Sequence, residues 1–344
     1  MTDWFAWTAD NAGCAWYRSI VPLTSLRRTN RVDRVSWSMV SSAQELSQRD
    51  VIVAQRTCNE QANPVLWALT NAGVPWTYDI DDMLWGVEHT NTAAYGFYAQ
   101  DWVQDTLRRT IAAATQISVS TPELGDALVA DLGYSGPVEV LPNTVAEVPG
   151  LTREPEDEPV DPDGKRVRPL RVLWAGSRTH DEDLKIIRYA TKKMVERGEI
   201  EFVIMGVEYR DLIPWASGQL GWVNNNEYLQ ALAGLHADVM LCPVKPTAFN
   251  ACKSHLKALD AMAAGIIPLA SDYVTYNRLV TDGVDGMLAK WNEQDWYKKL
   301  RTLANMSWNE LKTMRSNGLK RALEYHSDNW AEHVYDFWGA APTR

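Results

Sequence analysis

The sequence predicts an α/β protein with two domains. Short apolar runs of strand length alternate with helical patterns from Trp4 to Trp338, an order that favours mainly parallel sheets covered by helices on both faces. The alternation is interrupted once, at 147–168, by a stretch rich in Pro and acidic residues. With 344 residues, 46% of them hydrophobic, the chain suits two domains of roughly 150 residues better than one. We therefore place the domains at 1–145 and 170–325, joined by an acidic, Pro-rich linker at 146–169.

The first domain contains five buried apolar runs that are each followed by a helical pattern or a turn. Pro64 at the first turn and Gly73 after the last turn bound one helix, and Thr121 is placed to cap another. The predicted strands are 4–8, 50–55, 75–80, 116–120 and 138–141, and the predicted helices are 15–27, 64–72, 102–114 and 122–132.

The second domain repeats this pattern. Its predicted strands are 170–175, 201–205, 239–242 and 267–270, and its predicted helices are 181–197, 226–233, 254–264, 294–305 and 309–325. Ser327 is predicted to cap a last helix at 330–338 within the segment 326–344, where Trp330, Val334, Phe337 and Trp338 form an apolar stripe with helical spacing.

The charge and the cysteines exclude several classes of protein. A formal net charge of -10 argues against binding to a polyanion, because phosphate backbones are bound by Lys and Arg. No run approaches the ~20 apolar residues of a membrane helix. The first 15 residues carry Asp3 and Asp10 but no basic cluster, so we expect a soluble, cytoplasmic protein without a signal peptide. The four cysteines form no CxxC pair, which argues against a zinc site or a disulfide framework.

A candidate anion site lies within 249–288. Lys253 and Ser254 precede a predicted helix, whose first backbone N–H groups and dipole favour a phosphate. Lys257 lies one predicted helical turn beyond Lys253. Asp260 lies two turns beyond it and can accept hydrogen bonds from two adjacent hydroxyls, such as those of a ribose. A solvated helix face explains the same spacing equally well.

This segment resembles the signature region of the retaining GT-B glycosyltransferases of the GT4 type. The run DAMAAG at 260–265 fits the family's Glu-Ala-Met-Ala-x-Gly, Pro268, Ser271 and Asp272 follow in order, and 282–288 fits Gly-x-x-Gly-x-Leu. The resemblance implies that Asp260 holds the ribose of the donor nucleotide. It also implies two Rossmann-like domains that face each other across a cleft, with a C-terminal helix that crosses back to the first domain.

The sequence departs from the family at the first Glu of this signature, which would fall at Cys252. The run Lys253-Ser254-x-x-Lys257 is similar to a divergent branch of phage and bacterial glycosyltransferases instead. Two further segments resemble the family. LPNT at 141–144 resembles the Leu-Pro-Asn-Gly that ends the first domain, and 173–184 resembles the first strand and loop of the second.

The segment 173–184 supplies further candidates for donor binding. Gly176 lets the backbone approach a ligand, and Ser177, Arg178 and Thr179 offer hydrogen-bond donors to a diphosphate. His180 is a candidate catalytic residue, although it suits a helix entry equally well.

The segment 11–18 of the first domain is similar to the Gly-Cys-Ala-Tyr-Tyr-Arg of the divergent branch. From this similarity we expect Gly13 to admit a phosphate near the start of a helix and Arg18 to contact the donor.

An acidic run, Asp79, Asp81 and Asp82, follows a buried strand of the first domain. One interpretation is a Mg²⁺ or Mn²⁺ site of the DxD kind. We favour another, because GT-B enzymes use helix dipoles and basic residues in place of a metal. In it, Asp81 or Asp82 is catalytic: it orients or deprotonates the acceptor hydroxyl, or it holds Arg18. A third interpretation is that the carboxylates cap the following turn.

Together these features predict a glycosyltransferase that moves a sugar from a UDP-, GDP- or ADP-sugar to an acceptor hydroxyl. The resemblance implies retention of anomeric configuration, with the nucleotide sugar as co-substrate and no metal or other cofactor. The candidate acceptors are hydroxymethylated DNA bases, virion proteins and cell-envelope glycans. A DNA acceptor would need a basic strip, for which the best candidates are Arg27, Arg28, Arg31 and Arg34.

Two other functions fit the sequence. A nucleotide-sugar-binding protein without turnover is favoured by the loss of the first signature Glu. A GT-B-shaped epimerase would need more carboxylates and histidines around the sugar than this region contains. The sequence indicates no oligomeric state.

Overall fold

A computed structural model describes residues 2–152, 160–162, 166–177, 180–206 and 211–340. The chain forms two compact units. The first comprises Met1–Ala146, Ala251–Ser254 and Tyr325–Arg344, and the second comprises Glu147–Asn250 and His255–Glu324. Much of the acidic segment predicted as a linker lies outside the described residues. Its start forms a 3-10 turn at Pro149–Leu151 in the second unit, where Gly150 packs directly against the backbone of Gly265.

The first unit is built on a six-stranded parallel sheet with the strand order β2-β1-β3-β4-β5-β6. The strands are β1 (Asp3–Thr8), β2 (Arg34–Ser38), β3 (Val51–Gln55), β4 (Thr77–Ile80), β5 (Gln116–Val119) and β6 (Val138–Val140). The helices are α1 (Gly13–Ala15), α2 (Val21–Arg28), α3 (Ala43–Leu46), α4 (Ala62–Asn71), α5 (Thr92–Tyr98), α6 (Asp101–Ala113) and α7 (Pro122–Leu132), with a π-helical turn at Trp16–Ile20 and a 3-10 turn at Leu84–Gly86.

The second unit has its own six-stranded parallel sheet, in the order β12-β11-β10-β7-β8-β9. The strands are β7 (Leu170–Gly176), β8 (Ile200–Gly206), β9 (Gly218–Leu220), β10 (Val239–Cys242), β11 (Ile267–Ser271) and β12 (Met287–Ala289). The helices are α8 (Asp181–Leu184), α9 (Arg188–Glu196), α10 (Asn225–Gly234), α11 (Ala248–Ala251), α12 (Leu256–Ala263), α13 (Val274–Asn277), α14 (Glu293–Asn305) and α15 (Trp308–Glu324), with a 3-10 turn at Lys185–Ile187 between α8 and α9.

These two sheets confirm the predicted α/β class with two Rossmann-like domains. Every predicted strand is present within two residues of its predicted bounds. Central strands such as β5 are buried along their whole length, as expected of parallel sheets covered on both faces. Thr121 caps α7 as predicted, because its hydroxyl accepts the N–H of Leu124 at 3.2 Å.

The C-terminal helix α16 (Ser327–Gly339) belongs to the first unit, which confirms that the chain crosses back. Its buried residues Ala331, Val334 and Trp338 pack in one core cluster with Leu23 of α2. The predicted cap, Ser327, is wrong by one residue. The side chain of His326 accepts the N–H of Asp328, and Ser327 is already helical. Within the part of the chain that the structure describes, no helix is long and apolar enough to span a membrane.

Candidate active site

The carboxyl edge of the second sheet carries half of the predicted donor-binding residues. The strand order reverses between β7 and β10, and open α/β sheets bind ligands at the carboxyl ends of strands beside such a reversal. β7 ends at Gly176, which pairs in register with Gly206 at the end of β8. Gly206 has a φ of +114°, and a Cβ there would collide with the carbonyl oxygen of Gly176. This edge is therefore backbone without side chains, as a phosphate site requires.

Lys257 places a positive charge beside this glycine pair. Its Nζ lies 5.0 Å from the centroid of the Trp174 ring, and a Cβ on Gly176 would lie 3.4 Å from the same atom. The indole of Trp174 is fully buried and fixes one side of the lysine by a cation–π contact. The helix α12 thus delivers an ammonium group to the end of β7, next to the exposed backbone.

Asp260 lies one turn after Lys257 on α12 and is 4% exposed. Burial and the nearby Asp260 raise the pKa of the Tyr228 hydroxyl well above its usual range, so Tyr228 is a neutral donor close to this carboxylate. Burial also raises the pKa of the Cys242 thiol, to about 12. The ammonium group of Lys257 lowers this pKa and the carboxylate of Asp260 raises it, so both groups lie near the thiol. Lys257 and Asp260 are thus neighbours, as the sequence predicted.

His180 is held in place at the same edge. Its Nδ1 lies 3.0 Å from the Oδ2 of Asp183, whose Oδ1 accepts the backbone N–H of Lys245 at 2.8 Å. Asp183 is 5% exposed, so both of its oxygens are fixed. This link joins the loop after β7 to the loop after β10, across the reversal in strand order.

The other predicted donor residues of the second unit have different surroundings. Ser177 is half-buried just after β7, and its carbonyl accepts the N–H of His180. Arg178 and Thr179 lie outside the described residues. Asp272 is exposed and accepts a hydrogen bond from Asn277. Ser271 is 2% exposed, and its hydroxyl accepts the backbone N–H of Val244 at 2.8 Å. The hydroxyl thus ties β11 to the loop after β10, and binding of the donor by Ser271 stays a prediction.

Lys253 and Ser254 belong to the first unit, although the sequence around them folds in the second. The Nδ2 of Asn143 donates to the Oγ of Ser254 at 2.8 Å, and the hydroxyl of Thr121 donates to the carbonyl of Cys252. The prediction that Lys253 lies one helical turn before Lys257 is wrong, because α12 begins at Leu256. Cys252 is buried, and its thiol packs against Met83 and the carbonyl of Glu123.

Arg18 forms a buried ion pair inside the first unit. Its Nε and Nη2 donate to the two carboxylate oxygens of Asp79 at 2.9 and 2.7 Å, and its Nη1 donates to Leu141 O and Asn143 Oδ1. Arg18 is 3% exposed and Asp79 is fully buried. The interpretation that Asp81 or Asp82 holds Arg18 is therefore wrong, because its partner is Asp79, the third residue of β4. Binding of the donor by Arg18 stays a prediction.

The helix start at Gly13 already holds an anion. The Oδ1 of Asp10 accepts the N–H of Ala12 at 2.8 Å and that of Ala15 at 3.4 Å. The carboxylate of Asp10 thus binds two of the backbone N–H groups at this helix start. The approach of a phosphate to Gly13 stays a prediction.

Asp81 and Asp82 meet Arg56, which the sequence analysis missed. The Nη1 of Arg56 lies 3.3 Å from Asp81 Oδ1 and 3.7 Å from Asp82 Oδ2, and its Nη2 donates to the hydroxyl of Tyr98 at 3.0 Å. Burial and the carboxylate of Asp81 raise the pKa of Cys14, which accepts from the same guanidinium, well above its usual range. The sequence does show that Arg56 directly follows the buried strand β3. This position could have identified it, because β3 lies beside the reversal in strand order, where open α/β sheets bind ligands.

Arg56 also has an unusual backbone. Its φ is +41°, in the left-handed region that costs a non-glycine residue about 1 kcal/mol. Its N–H donates to the carbonyl of Asp79 at 2.8 Å, which fixes this conformation. The guanidinium is thereby aimed at Asp81 and Asp82.

No metal cluster is present among the residues that the structure describes: no group of three or more His, Cys, Asp or Glu side chains there could hold an ion. The predicted basic strip is largely paired with carboxylates. Arg28 contacts Asp328 at 2.6 Å, Arg31 lies 3.5 Å from Glu332, and Arg34 lies 3.9 Å from Asp3.

Comparison with known proteins agrees with this geometry. Residues 169–306, which contain β7 to α14, match the family of glycosyl transferases group 1. The sequence matches no curated protein.

Three solved structures share the fold. The pneumococcal O-GlcNAc transferase GtfA, solved with UDP and GlcNAc, has a TM-score of 0.59 and 14% identity over 87% of this chain, which spans 58% of GtfA. Anabaena HepE with UDP-glucose has a TM-score of 0.64 and 12% identity, over 98% of this chain and 99% of HepE. A glycosyltransferase from Rickettsia africae has a TM-score of 0.61 and 10% identity, over 99% of this chain and 98% of its own. These similarities show that the whole chain has the GT-B fold.

Proposed function

We propose that this group 1 glycosyltransferase of the GT-B fold transfers a sugar from a UDP-sugar to an acceptor hydroxyl, with retention of configuration and without a metal ion. The observation that carries the proposal is the glycine pair at the ends of β7 and β8, with the ammonium group of Lys257 beside it. UDP is favoured over GDP because the GtfA and HepE structures of the same fold contain UDP.

The second unit binds the donor. Backbone N–H groups at Gly176 and Ser177, together with Lys257, neutralise the diphosphate. Asp260 accepts hydrogen bonds from the two ribose hydroxyls, a role that the family resemblance implies for it.

Catalysis consists mainly of stabilising the leaving group. The bond between the anomeric carbon and the β-phosphate oxygen breaks, and its electron pair stays on UDP, where Lys257 faces the new charge. The acceptor oxygen then bonds to the anomeric carbon and loses its proton. His180, held by Asp183, hydrogen-bonds to the sugar. Asp81 or Asp82, held by Arg56, orients the acceptor hydroxyl and takes its proton.

The proposal is tested by a thermal-shift and hydrolysis screen with UDP-, GDP- and ADP-sugars, each with and without EDTA. We expect one UDP-sugar to raise the melting temperature and to release UDP slowly at a rate that EDTA does not change. Loss of release in EDTA would overturn metal independence. No response to any nucleotide sugar would overturn the proposed donor class.

A pair of lysine variants locates the donor site. Lys257→Ala removes the charge beside Gly176, and we expect donor hydrolysis to fall roughly 100-fold. Lys298→Ala removes an exposed lysine from α14 and serves as the matched control, with no change expected. Equal effects of the two variants would place the diphosphate elsewhere. Retention is tested separately, from the anomeric configuration of the product by NMR.

One observation favours a second function, a nucleotide-sugar-binding protein without turnover. The first Glu of the family signature is replaced by Cys252, whose side chain is buried and carries no carboxylate for a donor sugar. Stabilisation by a UDP-sugar without UDP release, with or without acceptors, would support this function over transfer.

A further inference from the structure

Two exposed aromatic side chains pack together in the first unit. Phe97 and Trp102 are each 40% exposed, and they lie within six residues at the end of α5 and the start of α6. We call these two side chains the aromatic patch. Exposed aromatic rings grouped in this way mark a binding surface more often than rings scattered singly.

The patch is held rigidly. The ring of Phe97 packs edge to face against Tyr98 and Trp102, with centroid distances of 5.1 and 5.8 Å. The indole Nε1 of Trp102 donates to the side chain of Gln100 at 2.8 Å, and Gln100 in turn donates to the carbonyl of Gly96. Because the rings are fixed before any ligand arrives, binding costs little conformational entropy.

Tyr98 connects the patch to the carboxylates. It packs against Phe97 on one side, and its hydroxyl accepts a hydrogen bond from Arg56, whose guanidinium also contacts Asp81 and Asp82. The aromatic patch and the carboxylates are thus linked through Tyr98 and Arg56, within one unit. The rings suit the apolar C–H face of a pyranose, and the carboxylates suit its hydroxyls.

The charge of this surface selects the kind of ligand. Residues 81–105 contain the five carboxylates Asp81, Asp82, Glu88, Asp101 and Asp105 and no Lys or Arg. Arg56, which contacts Tyr98, is engaged by Asp81 and Asp82. A nucleic acid or another polyanion would be repelled, since its affinity depends on cations that neutralise phosphates.

We propose that the aromatic patch binds an uncharged oligosaccharide, which presents a hydroxyl to Asp81 or Asp82 as the acceptor. This inference rests on the proposed function, because it names the acceptor of that reaction. Of the three candidate acceptor classes, an uncharged oligosaccharide corresponds to the glycans, and a DNA acceptor is excluded. The patch supports the sugar units beyond the one that reacts, so longer acceptors bind more tightly than monosaccharides.

The test measures binding of maltotetraose, cellotetraose and chitotetraose by saturation-transfer NMR and calorimetry, in the presence of UDP. We expect at least one of them to bind, with a Kd that does not change between 50 and 500 mM NaCl, as expected of a neutral ligand. Trp102→Ala and Phe97→Ala should each weaken binding roughly 10-fold. Trp102→Tyr, which keeps an aromatic face, should restore most of it.

Trp37→Ala is the matched control, because Trp37 is also an exposed tryptophan of the first unit, at 42%, on the edge strand β2. It should leave binding unchanged, and stabilisation by UDP should be equal in all variants. Failure of every oligosaccharide to bind while UDP still binds would overturn the acceptor proposal alone. Tighter binding of a hydroxymethylated DNA duplex would also overturn it. Failure to bind any UDP-sugar would overturn the proposed function itself.

Discussion

The carboxyl edges of the two sheets have the same strand topology but present different chemical groups: bare backbone in the second unit and paired charged side chains in the first. Both sheets have six parallel strands and a reversal of strand order, between β1 and β3 in the first and between β7 and β10 in the second. The second edge ends in the paired glycines Gly176 and Gly206. On the other side of its own reversal, the first edge has Arg56, which follows β3 and is bound to two carboxylates.

The difference shows how one fold serves two ligands. A diphosphate is bound by backbone N–H groups and a cation, so side chains at the strand ends must be absent. An acceptor hydroxyl needs a carboxylate held at a fixed position, so side chains must be present and paired. Four substitutions test this contrast through the stability of each unit, from the largest effect to the smallest.

The largest effect is expected where the first unit buries a charge pair. Arg18→Ala leaves the fully buried carboxylate of Asp79 without its cation and should lower the free energy of unfolding by about 3–5 kcal/mol, measured by urea denaturation. Arg28→Ala breaks an ion pair whose arginine is 45% exposed and should cost less than about 1 kcal/mol. Similar losses for the two variants would show that the buried pair has no special role.

The glycine edge of the second unit is tested by Gly206→Ala. The added Cβ would meet the carbonyl of Gly176 at a φ of +114°, so we expect a loss of about 2–3 kcal/mol in unfolding free energy, together with weaker UDP binding. Gly221→Ala is the control, because no atom lies within 4 Å of its added Cβ. A fully stable Gly206→Ala protein would mean that the close approach of β7 and β8 is not required.

The second unit buries a histidine, His255, without charge. Burial, helped by Arg278, lowers the pKa of His255 to about 3, from 6.5. Between these values the unfolded chain binds more protons than the folded chain, so stability is present above pH 6.5 and is lost as the pH falls. We expect unfolding free energy to drop by about 2 kcal/mol from pH 8 to pH 5.

His255→Gln should remove this slope, measured by urea denaturation at a series of pH values. Carboxylates with lowered pKa values, such as Asp238 and Asp328, titrate below this range and leave the slope unchanged. If the variant keeps the wild-type slope, another group is responsible.

The smallest effect is expected at Ser271, where a substitution tests whether the hydroxyl supports the fold or binds the donor. Ser271→Ala leaves the buried N–H of Val244 without its acceptor and should cost about 1–2 kcal/mol, while the affinity for UDP stays the same. A large fall in UDP affinity with unchanged stability would place Ser271 in the donor site.

The sequence predicted the buried strands because their apolar runs are continuous. It also predicted that Lys257 and Asp260 lie close together, because both are on one helix. It missed β2, whose residues RVSWS are half-exposed at a sheet edge and alternate weakly. It also assigned the wrong partner to Arg18. Asp79 is 61 residues away, and no local pattern distinguishes it from Asp81 or Asp82. The place of Ala251–Ser254 in the first unit depends on packing between distant segments, which spacing does not encode.

The return of α16 to the first unit imposes an order on synthesis. Trp4 of β1 stacks on Tyr335 of α16 at a centroid distance of 5.4 Å, and the indole N–H of Trp338 donates to the hydroxyl of Ser118. The first strand to be synthesised therefore completes its packing only after the last helix has been made. At ~5–20 residues per second, the ribosome needs roughly ten to forty seconds to make the segment between Ala146 and Tyr325. During that time the apolar residues of the first unit that α16 later covers, such as Leu23 and Leu26, have no helix packed against them.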